Sequence, residues 1–447
     1  MIQLFDVYNQ ETQDLHDSLV AAGLSCPTIV IEPNGFLPDD MLSPFLYFLG
    51  ERDKEKKARY YNQIEVPRFW SIVGDSHGAR IFNLDEEKGR IHYAEGKLDR
   101  VVTRVDWLDR YGNCCLVDHY DKYGYRFGQT TYHTNQQAIH TTYFSDENHE
   151  RLVENHVTGD IILSLENEPI YNFKNRRDFV CFFLKRLNFN MDHILFNSLS
   201  VSFLVSHVLP LEGKDILFWQ EPIYDDIPGN MQLILQENHL RTQTIVIPNS
   251  STYEKVCQMV SPAYRHKLLP LGYHYSFKRD NFLRKDALIL THSDQIEQLE
   301  VLVQALPEVT FRIAALTEMS PKLLAMLAYP NVVLYQNVSP QQIEEIFQIS
   351  DLYLDINYGG QVLKSIRKAF ENNLLILAFK QTIHDNRYIV PQHVFDSSQT
   401  SDLIHYIKNS LETVDNMRTA LLKQGKHADD IPLEHYQKML HSLLGGK

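Results

Sequence analysis

The sequence predicts an α/β protein made of two doubly wound, Rossmann-type domains, the first interrupted by an antiparallel β-rich insertion. Three observations carry that prediction. Strand and helix signals alternate near the start and again beyond Arg176. A dense series of strand signals, with no room for a crossover helix, fills the stretch from Pro67 to Phe173. A second alternation then starts cleanly at Lys285. The expected domains are 1–66 plus 174–283 (first Rossmann-like), 67–173 (inserted β-meander), 284–400 (second Rossmann-like) and 401–447 (C-terminal helices).

Taken in order, QDLHDSLVAAGL has the apolar spacing of an amphipathic helix, and PTIVIEP reads as a buried strand bounded by Pro27 and Pro33. From Pro67 the texture changes. FWSIV, ARIFNL, RIHYAE, VVTRVDWL, NCCLVDHY and YRFGQTTYH alternate β-branched and aromatic residues, with turns marked by Gly78, Gly89, Gly96, Gly112 and Gly124. Strands spaced so closely predict an antiparallel meander. RRDFVCFFLKRL then reads as a helix, HILFNSLSVSFLVSHV and DILFWQEP carry strands, and the region around NMQLILQENHL, before TIVIPN, is helical. Beyond Lys285, ALILTH, TFRIAAL, NVVLYQ, LYLDIN and LLILAF are strands. The helices between them are IEQLEVLVQAL, MSPKLLAMLA, SPQQIEEIFQIS (Ser339 as cap, Pro340 in its first turn) and the segment before LLILAF. Such alternation implies parallel βαβ units, with ligands expected where the strands end.

Composition removes several classes of function. The 447 residues are 44% hydrophobic and 22% charged, an ordinary globular balance. The net charge of −14 argues against bulk nucleic-acid binding, which depends on Lys and Arg neutralising phosphates. The start, MIQLFDVYNQ, lacks the pattern of a signal peptide, and no run nears the ~18–20 apolar residues of a membrane span. The five cysteines lack CxxC spacing, which suits reduced thiols in a cytoplasmic protein. No cofactor is implied.

The stretch NYGGQVLKSIRKAFENNLLILAF, Asn357 to Phe379, is the most informative. Together with the twin doubly wound domains and the β-rich insertion, it resembles the retaining glycosyltransferases of GT-B architecture. The whole chain is similar to the accessory-Sec glycosyltransferase pair of Gram-positive cocci, and within that pair to the stabilising subunit. In active members of the fold, a Glu, seven residues and a second Glu hold the donor sugar and ribose. The resemblance puts those roles at Gly360 and Lys368, neither of which can offer a carboxylate. Active members also place an Arg and a Lys after the second domain's first strand, to meet the diphosphate. Here 286–311 contains no Arg or Lys, and Asp294, Glu297 and Glu300 are acidic. His292 or Lys364 remain as substitute cations.

Other constellations carry weaker signals. His119, His133 and His140 have spacings that fit no compact zinc pattern, and exposed sheet polars are the expected account. Cys114 and Cys115 point to opposite faces of one strand. FWQEPIYDDIPGN follows a strand and offers Trp219, Glu221 and Tyr224 beside Asp225 and Asp226, either as a polar ligand wall or as an ordinary acidic loop. Gly272, Tyr273 and His274 read as an interdomain connection. The helix with Arg176, Arg177, Lys185 and Arg186 beside Phe179, Phe182 and Phe183 fits a core helix with snorkelling cations, the alternative being a membrane-surface helix.

The resemblance therefore implies a non-catalytic, glycosyltransferase-like subunit. It would stabilise a catalytic, GtfA-like N-acetylglucosaminyltransferase partner and bind the Ser/Thr-rich polypeptide of a serine-rich repeat adhesin for O-glycosylation. The location implied is cytoplasmic, with peripheral contact at the membrane left open. Trp219, Glu221, Tyr224, His292, Gly359 and Gly360 are the expected acceptor-binding residues, and no catalytic or metal-binding residue is expected. The alternative is an autonomous retaining UDP-sugar glycosyltransferase with an atypical donor site.

Overall fold

The computed structural model describes residues 1–445 apart from 76, 95–99 and 211, so the turn expected at Gly96 lies outside the described residues. Residues Met1–Gly272, with the chain's last residues from Met439, form one compact unit, and Tyr273–Lys438 form a second.

The first unit holds two sheets. Its strands are β1 (Ile2–Phe5), β2 (Thr28–Val30), β3 (Met41–Leu42), β4 (Ser71–Gly74), β5 (Gly78–Asn83), β6 (Glu86–Tyr93), β7 (Val102–Leu108), β8 (Cys114–Tyr120), β9 (Arg126–Tyr132), β10 (Ala138–Phe144), β11 (Glu150–Asn155), β12 (Ile161–Leu163), β13 (Tyr171–Phe173), β14 (Ile194–Phe196), β15 (Asp215–Phe218), β16 (Thr242–Ile247) and β17 (Leu268–Pro270). Its helices include α1 (Gln10–Ala21), α2 (Pro44–Tyr47), α3 (Arg176–Arg186), α4 (Val201–Val208), α5 (Gly229–Gln236) and α6 (Ser250–Met259).

A parallel sheet of order β17-β16-β15-β14-β1-β2-β3 joins residues far apart in sequence, with Ile2 opposite Ile194 and Leu4 opposite Phe196. Its strands are mostly apolar and its inner ones buried along their length, Gln3 of β1 and Asp215 of β15 included, as in parallel sheets with helices on both faces. The connections run one way from β1 and the other way from β14, so a topological switch point lies between these two strands. The ten strands β4 to β13 form an antiparallel meander in strict sequence order. Alternation sends Ala79, Ile81, Ile91 and Val105 into a small core with Ile64. Tyr143, Leu152, Ile161 and Leu163 instead join Phe45, Phe179 and Phe183 in the main core. The apolar face of α3 is used there: Phe179, Val180, Phe183 and Leu184 have no exposed surface.

In the second unit β18 (Asp286–Thr291), β19 (Thr310–Ala315), β20 (Val332–Tyr335), β21 (Leu352–Asp355), β22 (Leu375–Phe379) and β23 (Val394–Phe395) form a parallel sheet of order β20-β19-β18-β21-β22-β23. Helices α7 (Leu299–Ala305), α8 (Pro321–Leu324), α9 (Pro340–Ile349), α10 (Ser365–Glu371), α11 (Thr400–Glu412) and α12 (Val414–His427) accompany it, and α13 (Leu433–Leu443) follows. Ser339 caps α9 as expected, accepting from the Gln342 amide in a capping box. Two doubly wound parallel sheets and an antiparallel insertion make the GT-B-like α/β class that the sequence predicts.

Two elements differ from the sequence reading. The strand expected over FWSIV begins only at Ser71, because Phe69 takes a left-handed φ of 73°. The helix expected from Ile296 begins only at Leu299. Ile296 instead forms an antiparallel bridge with Asn357, and Gln298 adopts a φ of 53° before the helix. Backbone pairing to a neighbouring loop has outweighed local helix periodicity.

Candidate functional site

In the first unit, residues that directly follow four parallel strands converge at the switch point. Asp6 follows β1, Ile31 and Glu32 follow β2, Asn197 and Ser198 follow β14, and Gln220 and Glu221 come just beyond β15 and Trp219. With Asn9, Thr12, Arg176 and Ser200 they line a cavity of ≈ 280 Å³. Its polar groups are largely engaged by one another. Glu221 accepts from the Ser198 hydroxyl at 2.8 Å, the Leu199 amide at 3.0 Å and the Trp219 indole N–H at 2.9 Å. Asn197 accepts from the Asp6 amide and donates to Thr12 and Gln220.

Asp6 decides what this mouth can hold. Its carboxylate accepts from the Val201 and Ser202 amides at 3.1 and 2.8 Å, at the start of α4. A helix start in this position is where a phosphate would otherwise find backbone donors. The chain's own carboxylate occupies it. Burial pushes the Asp6 pKa up, while hydrogen bonds from Ser198 and Ser202 oppose that shift. The rim adds Glu32, which pairs with Arg176, itself held bidentately by Glu154 of the meander. A mouth lined by Asp6, Glu32 and Glu221 suits hydroxyl and amide donors and repels phosphate.

Trp219 is 1% exposed and belongs to the core, so it has no face to offer a ligand and instead holds Glu221 through its N–H. Tyr224 is 73% exposed and does not line the cavity. The structure thus joins Trp219 with Glu221 and leaves Tyr224 apart.

The second unit's switch point lies between β18 and β21. Two loops leave these strands and are tied to each other. Besides the Ile296–Asn357 bridge, the Glu297 amide donates to Ile356 O and the Tyr358 amide to Gln295 O, both at 2.8 Å. The Tyr358 hydroxyl donates to Glu297 at 2.6 Å. His292, Gly359 and Gly360 are brought together. A Cβ on Gly359 would lie 2.9 Å from His292 Nε2, and Gly359 has a φ of +111°. A Cβ on Gly360 would lie 3.9 Å from His292 Cε1.

Beside this loop is a pair that sequence reasoning missed. Asp355, 1% exposed at the end of β21, accepts from His384 Nδ1 at 2.6 Å and from the His384 amide at 2.9 Å. His384 Nε2 lies 2.6 Å from Gly359 O. Both ring nitrogens face acceptors, the arrangement of an imidazolium, and the bond to Asp355 holds the His384 pKa up. Residues separated by 29 positions in a loop leave no periodic or spacing signal, so only the fold reveals them. Lys368 lies on α10 and pairs with Glu344 at 2.9 Å. The loops at the switch point are thereby tied to each other and to His384.

The histidines of the meander are not all the exposed polars expected. His119 is closed in, and burial lowers its pKa to about 4, with Nε2 2.9 Å from the Thr130 hydroxyl. Among the described residues no group of three or more His, Cys, Asp or Glu could hold a metal ion, and no helix is long and apolar enough to cross a membrane.

Comparison with known proteins bears on all four parts of the chain. Family models match residues 2–48 (GtfB N-terminal domain), 70–174 (GtfB middle domain), 176–259 (GtfB third domain) and 287–424 (GftB/GlyA-F C-terminal domain). The UDP-N-acetylglucosamine–peptide N-acetylglucosaminyltransferase stabilizing protein GtfB of Streptococcus gordonii is 61% identical, covering 100% of both chains. Its counterpart from Streptococcus pneumoniae serotype 4 is 52% identical over 100% of both. A chain of a crystal structure of a GtfA/B complex bound to UDP and GlcNAc superposes with a TM-score of 0.93 at 61% identity, again covering 100% of each chain.

Proposed function

The chain belongs to the GtfB family of UDP-N-acetylglucosamine–peptide N-acetylglucosaminyltransferase stabilising proteins, and from that premise we propose that it is the non-catalytic subunit of a transferase complex. It stabilises a catalytic, GtfA-like N-acetylglucosaminyltransferase and helps hold the Ser/Thr-rich polypeptide of a serine-rich repeat adhesin while sugars are added in the cytoplasm. The relatives carry the stabilising role in their name, and a solved complex pairs GtfA with GtfB.

The observation that carries the non-catalytic reading is the second unit's switch point. A retaining transferase needs carboxylates for the sugar and fixed cations for the departing diphosphate, whose charge development those cations stabilise. Here Gly360 and Lys368 stand at the carboxylate positions, and no Arg or Lys occurs over 286–311. Glu297 and Tyr358 instead close the two loops on each other. The first unit's mouth supports acceptor binding, because Glu221, Asp6 and Glu32 match hydroxyl and amide donors. Within the predicted set, Glu221, His292, Gly359 and Gly360 keep an acceptor role. Trp219 acts by orienting Glu221, and Tyr224 contributes from an exposed loop.

The meander is the docking surface for the catalytic partner, since sheet edges offer unpaired backbone groups. The deciding experiment incubates the full chain with labelled UDP-GlcNAc and a Ser/Thr-rich acceptor, alone and with the catalytic partner, alongside calorimetry with UDP. The expected result is no turnover and no saturable UDP heat from the chain alone, and transfer when the partner is added. Turnover by this chain alone would establish an autonomous transferase instead.

A further inference from the structure

One side chain ties the acidic mouth of the first unit to the antiparallel sheet. Among the described residues that line the mouth, Arg176 is the only Lys or Arg, and its guanidinium is committed on two sides. Towards the meander, Nε and Nη2 donate to the two oxygens of Glu154 on β11, Nη2 at 3.0 Å. Towards the mouth, Nη1 donates to Glu32, which follows β2. The guanidinium carbon also lies 5.4 Å from the centroid of the Phe45 ring. Arg176 is the first residue of α3, and a cation in the first turn opposes the helix dipole. Nothing in α3 itself favours Arg there; the two carboxylates do.

The two ends of the clamp are unequal. Glu154 is 3% exposed and is not among the residues lining the cavity. The Tyr143 hydroxyl is its other donor, at 3.4 Å. A buried carboxylate is strongly unfavourable without its cation, so the bidentate contact with Glu154 fixes the guanidinium and with it the place of Nη1. Glu32 has 47% of its side chain exposed, and among the described residues Arg176 is the one partner of its carboxylate. A half-exposed Glu in a loop has many rotamers of similar energy, so Nη1 decides where this carboxylate stands. One oxygen of Glu32 is taken by Nη1, and the other is left to accept from a hydroxyl or amide.

We propose that Arg176 is a positioning residue of the mouth: anchored on Glu154 of the meander, it holds Glu32 where its free oxygen meets a hydroxyl or amide of the acceptor polypeptide. The role rests on acceptor binding at the mouth. It adds that Glu154, a residue outside the cavity, controls that binding. Lysine cannot substitute, because an ammonium is a point charge without the planar fork that reaches both carboxylates.

The test measures binding of a fluorescent peptide of Ser-Thr-Ala repeats to the full chain by anisotropy. Arg176→Lys keeps a cation beside Glu154, so the chain should fold with an unchanged circular dichroism spectrum, yet the peptide should bind about tenfold more weakly. Glu154→Gln should weaken binding about threefold. Glu32→Gln should weaken it as much as Arg176→Lys, and the double variant no more than about twofold further, because both changes remove one interaction. A merely structural role for Arg176 would make the two factors multiply. Multiplying factors, or wild-type affinity in Arg176→Lys while Glu32→Gln is weakened, overturns the positioning role and leaves the mouth as an acceptor site. Wild-type affinity in both single variants, or no binding by the wild-type chain, overturns the acceptor reading of the mouth as well.

Discussion

Asp215 has no exposed side-chain surface, and Arg241 has 3%. The guanidinium meets both carboxylate oxygens, at 2.8 and 2.9 Å, and the Ser206 hydroxyl and Ile194 amide complete the shell. Glycine at 213 is what allows it, since a Cβ there would lie 2.3 Å from the guanidinium carbon. Removing one member of such a pair strands the other charge, a loss of about 3–5 kcal/mol. Arg241→Met should therefore lower the unfolding free energy obtained from denaturant titration by that amount, and a loss below about 1 kcal/mol would mean the pair is wetter than its surroundings indicate. His384 makes the opposite kind of demand. Its folded pKa is raised above the ordinary 6.5 by Asp355, so the stabilisation is complete below that value and disappears as pH rises through the folded pKa. The stability difference between the wild type and His384→Gln should be largest at acid pH and shrink on the alkaline side. A difference that grows with pH would show that His384 is neutral in the folded chain. Neither Asp215–Arg241 nor Asp355–His384 is legible in the sequence, because each pair is made by strands and loops that meet only after the sheet forms.

At the scale of elements, the parallel strands and the meander were legible because they obey strong local rules: apolar runs for strands covered on both faces, alternation for the ten antiparallel ones. The absence of carboxylates at Gly360 and Lys368 was legible too. What replaced them was not. Ile296 to Gln298 look helical by periodicity, yet Ile296 and Glu297 are drawn into pairing with the loop after β21, and Trp219 looks like a ligand platform while its ring lies in the core. Local pattern cannot tell a ring that faces a mouth from one that backs it. The loop pairing sets a further prediction. Lys368 sits beside Glu344, both part-exposed, so Lys368→Glu exchanges an ion pair for a repulsion and should cost only about 0.5–1 kcal/mol. The double variant Gly360→Glu with Lys368→Glu restores the motif on paper. It should still give no saturable UDP binding by calorimetry, because the new carboxylate faces Glu344 and the stretch 286–311 supplies no cation for the diphosphate. Tight UDP binding by that variant would locate the defect in those two side chains alone.

For the whole molecule the consequence of a stabilising role is quantitative. A partner that binds only the folded enzyme raises its stability by about 2.7 kcal/mol when present at a hundredfold excess over Kd. If the partner docks on the meander, as proposed, that gain depends on one of the sheet's two edges. At one end β13 is packed on α3: Tyr171 and Phe173 meet Phe182 and Phe179 in tilted and edge-on contacts, with centroids 4.8 and 5.4 Å apart. At the other end β4 is the outermost strand, and Val73 on it is 62% exposed. An outermost strand with an exposed β-branched residue is the kind of edge that proteins otherwise blunt with charge. Val73→Lys supplies that charge. The chain's own unfolding should move by no more than about 0.5 kcal/mol, as for other surface substitutions. Affinity for the catalytic subunit should fall at least tenfold, equivalent to about 1.4 kcal/mol, and the partner's thermal midpoint in the mixture should fall back towards its value alone. If the complex forms with undiminished affinity while the variant chain is folded, the docking surface lies elsewhere on the first unit or on the second.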